Sequence, residues 1–352
     1  MQWTSLAALA LLAQHAAAQF NMLRFACSQL VVDRVDPLVN PGMTYTPHLH
    51  QIVGGDSFNV TMEPVEHDLA GQSTCTSCSF AQDLSNYWTA VMFFRSNNGS
   101  YHRVPQIGNG GPQGQLINDG GLAIYYIPSG QTTAFAPGFR MLIGDAANTD
   151  ASKVDQANIC HRCWTSPSES QFVGGAPCTG SDTAEIPADP SCYMIRQTII
   201  FPACWDGVNL DSPDHQSHVA YGQGSGATGG GACPSSHPVK LPQLMYEIMW
   251  DVSQFRDQSM WPTDGSPPFV YSMDLGGSAA HGDYLFGWEG DTLQRAMDNG
   301  CNLNNDCPAA GLTAQQPAQY NACKIPQQAP EPVDGWIKQL PLGDGPANQE
   351  LM

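Results

Sequence analysis

The chain has 352 residues, and its 13 Lys and Arg stand against 32 Asp and Glu, a formal net charge of −19. So acidic a surface repels phosphate backbones and anionic lipid, which excludes nucleic acid and membrane surfaces as partners. Only 13% of residues are charged and 42% are hydrophobic, enough apolar material for a large core, so disorder is excluded as the default.

In chain order, Leu6 to Leu12 is a short apolar run followed by Ala16-Ala17-Ala18, the small-residue pattern that a signal peptidase accepts. It predicts a signal peptide over residues 1–18 and a secreted, extracellular protein. The run is too short to span a bilayer, and no later segment reads as a membrane anchor. In Thr46-Pro47-His48-Leu49-His50-Gln51 two imidazoles are one residue apart. A β-strand places such residues on one face, close enough to share a metal ion. The sequons at Asn59 and Asn98 fit a secreted glycoprotein and predict exposed loops.

Cys75-Thr76-Ser77-Cys78 and Cys160-His161-Arg162-Cys163 have the spacing of two halves of a zinc site. An oxidising compartment converts thiols to disulfides first, so the twelve cysteines predict six bridges, with Cys204/Cys233 and Cys301/Cys307 as candidate local pairs. Spacing leaves the full connectivity open. Short runs rich in aromatic and β-branched residues, each bounded by turn formers, predict strands at 87–94, 122–127, 139–143, 193–201, 244–250 and 269–273. In the fifth run Leu244, Tyr246, Ile248 and Trp250 alternate with Glu247 and Asp251, which predicts a half-buried strand. Residues 107–121 and 222–231 read as long Gly-rich loops.

The segment from Cys204 to His218 packs Asp206, Asp211, Asp214, His215 and His218 among turn formers that exclude a regular helix. Further on, Ala280-His281-Gly282-Asp283-Tyr284 brings another imidazole and carboxylate together. Thr292 to Asn299 is the one persuasive helix, with Asp291 as its cap, Gln294 as the reciprocal capping-box residue and Gly300 as its stop. The fold class is therefore mainly β: a disulfide-stapled, antiparallel β-sandwich-like domain over 19–323, with long Gly/Pro-rich loops and one or two short helices. A Pro-rich tail follows over 324–352.

The ordinary reading of these histidines is that they hydrogen-bond to loop carbonyls. The chemical reading is that His48, His50, His215, His218, His281 and Asp283 converge on one cleft, or that His48, His50 and His281 meet while His215 and His218 brace their own loop. Trp88, Trp164, Trp205, Trp250 and Trp288 are candidates for stacking on sugar or for core.

Leu23-Arg24-Phe25, the run from Asp33 to Gly42, His48-Leu49-His50 and Gly54-Gly55-Asp56-Ser57-Phe58 resemble the opening of a fungal secreted family catalogued as domain of unknown function nineteen-ninety-six. Asp83 to Trp88, Phe201 to Gly207 through Tyr221, His281-Gly282-Asp283 and Gly287-Trp288 are similar to its later blocks. The resemblance runs over residues 20–301 and implies a fungal extracellular protein with one compact domain, but no reaction.

Two function classes follow. The first is a carbohydrate-active enzyme acting on cell-wall or plant polysaccharide. His48, His50 and His281 would hold a divalent metal, with Asp206, Asp211, Asp214, His215, His218 and Asp283 as candidate acids, bases or catalytic carboxylates. The second is a non-catalytic cell-wall or glycan-binding protein using the same polar loops.

Overall fold

The computed structural model describes residues 22–64, 66–109, 118–166, 176–223, 230–273, 276–302 and 306–343. The expected signal peptide, and the middles of both Gly-rich loops, lie outside them.

Two five-stranded antiparallel sheets form the frame. One runs in the order Leu23–Cys27, Leu122–Ile127, Gln243–Asp251, Met194–Ile200, Ile159–Trp164. The other runs Val31–Asp33, His50–Gly54, Asn86–Ala90, His281–Leu285, Arg140–Gly144. Their facing side chains make the main core: Phe25, Ile124, Tyr126, Ile199, Tyr246 and Ile248 from the first meet Val53, Tyr87, Met141, Ile143 and Tyr284 from the second. The tyrosines satisfy their hydroxyls across this interface, Tyr87 to Tyr126 at 2.8 Å and Tyr126 to Tyr284 at 2.9 Å. That is how so many phenols are buried without an unpaired oxygen.

The outer face of the second sheet is also covered. Ile52, Trp88 and Leu285 pack beneath Leu30, Val35, Leu38, Phe58 and Met62. A four-stranded sheet (Phe269–Tyr271, Met92–Arg95, Tyr101–Arg103, Trp336–Ile337) and a three-stranded one (Val219–Ala220, Cys204–Trp205, Val239–Lys240) complete the β-structure of the described residues.

Several expectations are corrected. The run at 87–94 is broken at Val91, and its halves, Asn86–Ala90 and Met92–Arg95, join different sheets. Gln243–Asp251 is buried on both faces up to Trp250, because Glu247 lies under a polar network. Its carboxylate accepts from Tyr125 Oη and Asn109 Nδ2, both at 2.9 Å, and pairs with Arg196 at 3.5 Å. Helix Thr292–Asp298 forms, and Gly300 follows at φ 64°. Asp291 does not cap it through its side chain, which pairs with Arg295 instead. Gln294 reaches away to the 132–134 loop. The Pro-rich segment is integrated through residue 343. Glu331 pairs with buried Arg34, Trp336–Ile337 adds a strand, and Ala329 and Leu340 are buried.

All twelve cysteines are bridged: Cys27–Cys78, Cys75–Cys323, Cys160–Cys178, Cys163–Cys192, Cys204–Cys233 and Cys301–Cys307. The zinc spacing is coincidental. Cys160 and Cys163 lie in one strand, three residues apart, so their side chains leave opposite faces and find different partners.

Candidate metal centre

The cluster is a product of strand register. His50 opens its strand and sits across from Ala90 on the Asn86–Ala90 strand. On the other side of that strand Gly282 pairs with Thr89, which brings His281 up beside Ala90 as well. His48 lies just before the strand and keeps its alternation, so its ring stands 4.1 Å from that of His50, centroid to centroid. Within His281-Gly282-Asp283 the outer residues carry the polar groups and the middle one faces the other sheet. A Cβ at Gly282 would come within 2.9 Å of the Phe201 ring. Glycine is therefore required between the two polar residues by the closeness of the sheets.

The three Nε2 atoms converge. His48 Nε2 is 3.0 Å and His50 Nε2 3.2 Å from His281 Nε2, and the three donors lie within 4.8 Å of one another. His50 Nδ1 faces the Val35 carbonyl at 3.2 Å and His281 Nδ1 the Ala279 carbonyl at 2.8 Å. A carbonyl only accepts, so both Nδ1 atoms carry the proton and both Nε2 atoms present bare lone pairs. Only His48 is left to offer an Nε2 proton, and one proton does not separate all three nitrogens. Its own Nδ1 is buried without a partner. Beside them Asp283 Oδ2 is 3.8 Å from His281 Nε2, and neither carboxylate oxygen has a hydrogen-bond partner.

Burial, reinforced by mutual repulsion, holds His48 and His50 well below the ordinary imidazole range. Burial also brings His281 down to about 4, so all three are neutral ligands at neutral pH. Burial, with Asp36 adding repulsion, pushes the Asp283 carboxyl well up. Asp36 itself is raised by burial to about 6.

The donor set fits a transition metal. Nitrogens bound to one ion at ~2.0–2.1 Å in a tetrahedron are about 3.3 Å apart, close to the spacings here. Imidazole suits zinc, copper, iron or nickel. The two carbonyls that fix the tautomers are the outer-shell partners such ligands ordinarily have. On one side the cluster opens into a cavity of about 520 Å³ lined by Asp36, Asn40, His48, Asp145, Gln216, His281 and Asp283, among others.

The other predicted groups serve their own loop. Asp206 Oδ1 accepts from the amides of Val208 and Asn209, and Asp214 Oδ1 from those of Gln216 and Ser217. His215 bonds to Asp211 at 2.7 Å, and His218 bridges Ser212 Oγ and the Arg140 carbonyl. Of the six groups expected to converge, His48, His50, His281 and Asp283 do. The 206–218 loop reaches the cavity through Gln216, which sequence reasoning missed, as it missed Asp36 and Asp145. Trp88, Trp164, Trp250 and Trp288 are buried core and present no stacking surface. Trp205 is half-buried, with Nε1 donating to the Asn209 carbonyl at 2.6 Å.

The family model described as Domain of unknown function (DUF1996) matches residues 36–288, a span that holds His48, His50, His281 and Asp283. The chain belongs to this family. No curated protein and no solved structure matches the chain.

Proposed function

We propose that this DUF1996 protein is a secreted fungal enzyme that acts on cell-wall or plant polysaccharide through one divalent transition metal held by His48, His50 and His281. The observation that carries this reading is the opposition of bare nitrogens. The Nε2 lone pairs of His50 and His281 face each other at 3.2 Å, beside the buried Asp283 carboxyl, neither of whose oxygens has a hydrogen-bond partner. Such groups stay buried together at a high cost unless a cation lies between them. A metal there supplies Lewis acidity toward a substrate oxygen or an activated water. The chain's own residues do the rest. Val35 and Ala279 fix two imidazoles by their carbonyls, and Asp283 stands at the cavity wall, where a carboxyl can hold or release a proton. Asp36 and Asp145 keep the cavity acidic. The cavity leaves one side of the cluster open to substrate, the property that separates catalytic from structural metal sites.

Secretion is supported by the six disulfides, which persist in oxidising compartments. Among the described residues no helix is long and apolar enough to cross a membrane. Asn59 and Asn98 are exposed, as glycosylation requires.

The test is release of soluble sugar from fungal and plant wall preparations. Activity is expected with the purified protein, lost on chelation, restored by a single divalent metal, and absent in His281→Ala. Binding to walls without any release, at unchanged levels after chelation, would instead establish the glycan-binding alternative.

A further inference from the structure

A second depression adjoins the metal cavity. Its volume is about 300 Å³, at the small end of ligand sites, and Ile143, Val154 and Ala280 supply its apolar lining. Gly144, Asp145 and Gln216 line both cavities, so the two share a rim. Tyr221 stands at the second one in an inverted posture. Tyrosine ordinarily buries its ring and offers its hydroxyl to the wet end. Here the hydroxyl turns inward and donates to the Ile200 carbonyl at 2.7 Å, while the residue remains 36% exposed. What faces solvent is the ring, pinned by its own hydrogen bond. A flat aromatic face beside amides and carboxylates matches the two sides of a sugar ring, C–H edges on one and hydroxyls on the other.

We propose that this cavity is a subsite for one sugar unit of a neutral glycan, with Tyr221 as its stacking platform and the adjoining unit held at the metal cavity. The assignment rests on the reading above and adds two properties to it. The substrate has at least two units, and it carries no carboxylates, because Asp36, Asp145 and Asp155 outnumber Lys153 in the lining of the two cavities and repel uronic acids.

Calorimetric titration of the full-length protein as purified tests this, using oligomers of one to six units from β-1,3-glucan, β-1,4-glucan, α-1,4-glucan, chitin and galacturonan. At least one neutral series is expected to gain about tenfold in affinity between one unit and three. Tyr221→Ala should abolish that gain while leaving single-unit affinity and metal content unchanged, and Tyr221→Phe, which keeps the ring, should retain it. Gln216→Ala supplies a second variant should Tyr221→Ala fail to fold, and is expected to reduce the gain between one unit and three. Equal oligomer affinities in wild type, Tyr221→Ala and Gln216→Ala overturn the subsite, as does a preference for galacturonan or the absence of binding to every series. A protein that proves metal-free yet shows the Tyr221-dependent gain refutes the metal reading and supports the subsite.

Discussion

At Gly144 the absence of a side chain keeps a candidate ligand in place. The residue pairs with His281 and has φ 85°, and a Cβ there would come within 2.4 Å of the Ala280 carbonyl oxygen and 3.0 Å of His281 Cβ. Gly144→Ala is therefore expected to cost about 2 kcal/mol of stability and to weaken metal binding roughly tenfold or more by moving His281. Denaturant unfolding and chelator competition measure the two effects, and wild-type values in both would contradict the geometry. Part of this site was legible in the sequence. His48 and His50 are separated by two, and His281-Gly282-Asp283 has the same alternation, which strand geometry turns into shared faces. The tautomer-setting partners were not legible, because the carbonyls of Val35 and Ala279 belong to the backbone and carry no side-chain signal. Asp36 was hidden for a different reason. Its Oδ1 accepts from the amides of Leu38 and Val39 at 3.0 Å, which from sequence looks like an ordinary turn acid.

Among the elements, the C-terminal segment matters most to the site. Both carboxylate oxygens of Glu331 meet the Arg34 guanidinium, at 2.6 and 3.1 Å, with both side chains buried. Arg34 precedes Val35, whose carbonyl orients His50. Glu331→Ala removes the carboxylate that meets this buried cation on two sides and is expected to cost about 3–5 kcal/mol. Truncation after Cys323, which keeps the Cys75–Cys323 bridge, is expected to prevent folding, because it also uncovers Val32, Phe93 and Val270 beneath Ile337 and Leu340. A truncated chain with wild-type circular dichroism and melting temperature would show that the segment is dispensable. From sequence this stretch reads as a tail, since its prolines and short apolar residues lack periodicity, and its burial depends on partners some three hundred residues earlier. The His281–Leu285 strand was missed similarly. Gly282 and Asp283 are poor strand formers, and the strand exists because Asn86–Ala90 and Arg140–Gly144 pair with it on both sides. The aromatic-rich runs were legible because their composition matches the buried strands they form.

For the whole molecule, six disulfides hold a chain with few helices and long connections. Reduction is expected to unfold it at temperatures where the oxidised form is native, each bridge contributing on the order of 2–4 kcal/mol. Melting curves with and without reductant decide this, together with mass spectrometry expected to find no free thiol. Stability should also depend on pH through the core. Asp83, buried and accepting from Tyr87 Oη at 2.7 Å, is raised by burial to about 7. The fold thus holds a proton that the unfolded chain has released. Asp83 therefore stabilises fully below about pH 4, and its contribution is lost as pH rises through 7. His161, lowered by burial to about 4, acts oppositely, its contribution being lost as pH falls from about 6.5 toward 4. Asp83→Asn keeps the shape without the ionisation, so its melting temperature should exceed that of wild type at pH 8 by more than at pH 5. An unchanged difference across that range would mean that Asp83 does not titrate with folding.

The central claim is that the three imidazoles form a metal site, and elemental analysis of the natively purified protein addresses it most directly. The account predicts one transition metal ion per chain, falling to less than a tenth of that in His50→Ala and His281→Ala variants that retain the fold. A folded native protein without metal, or an equal metal content in those variants, would contradict it.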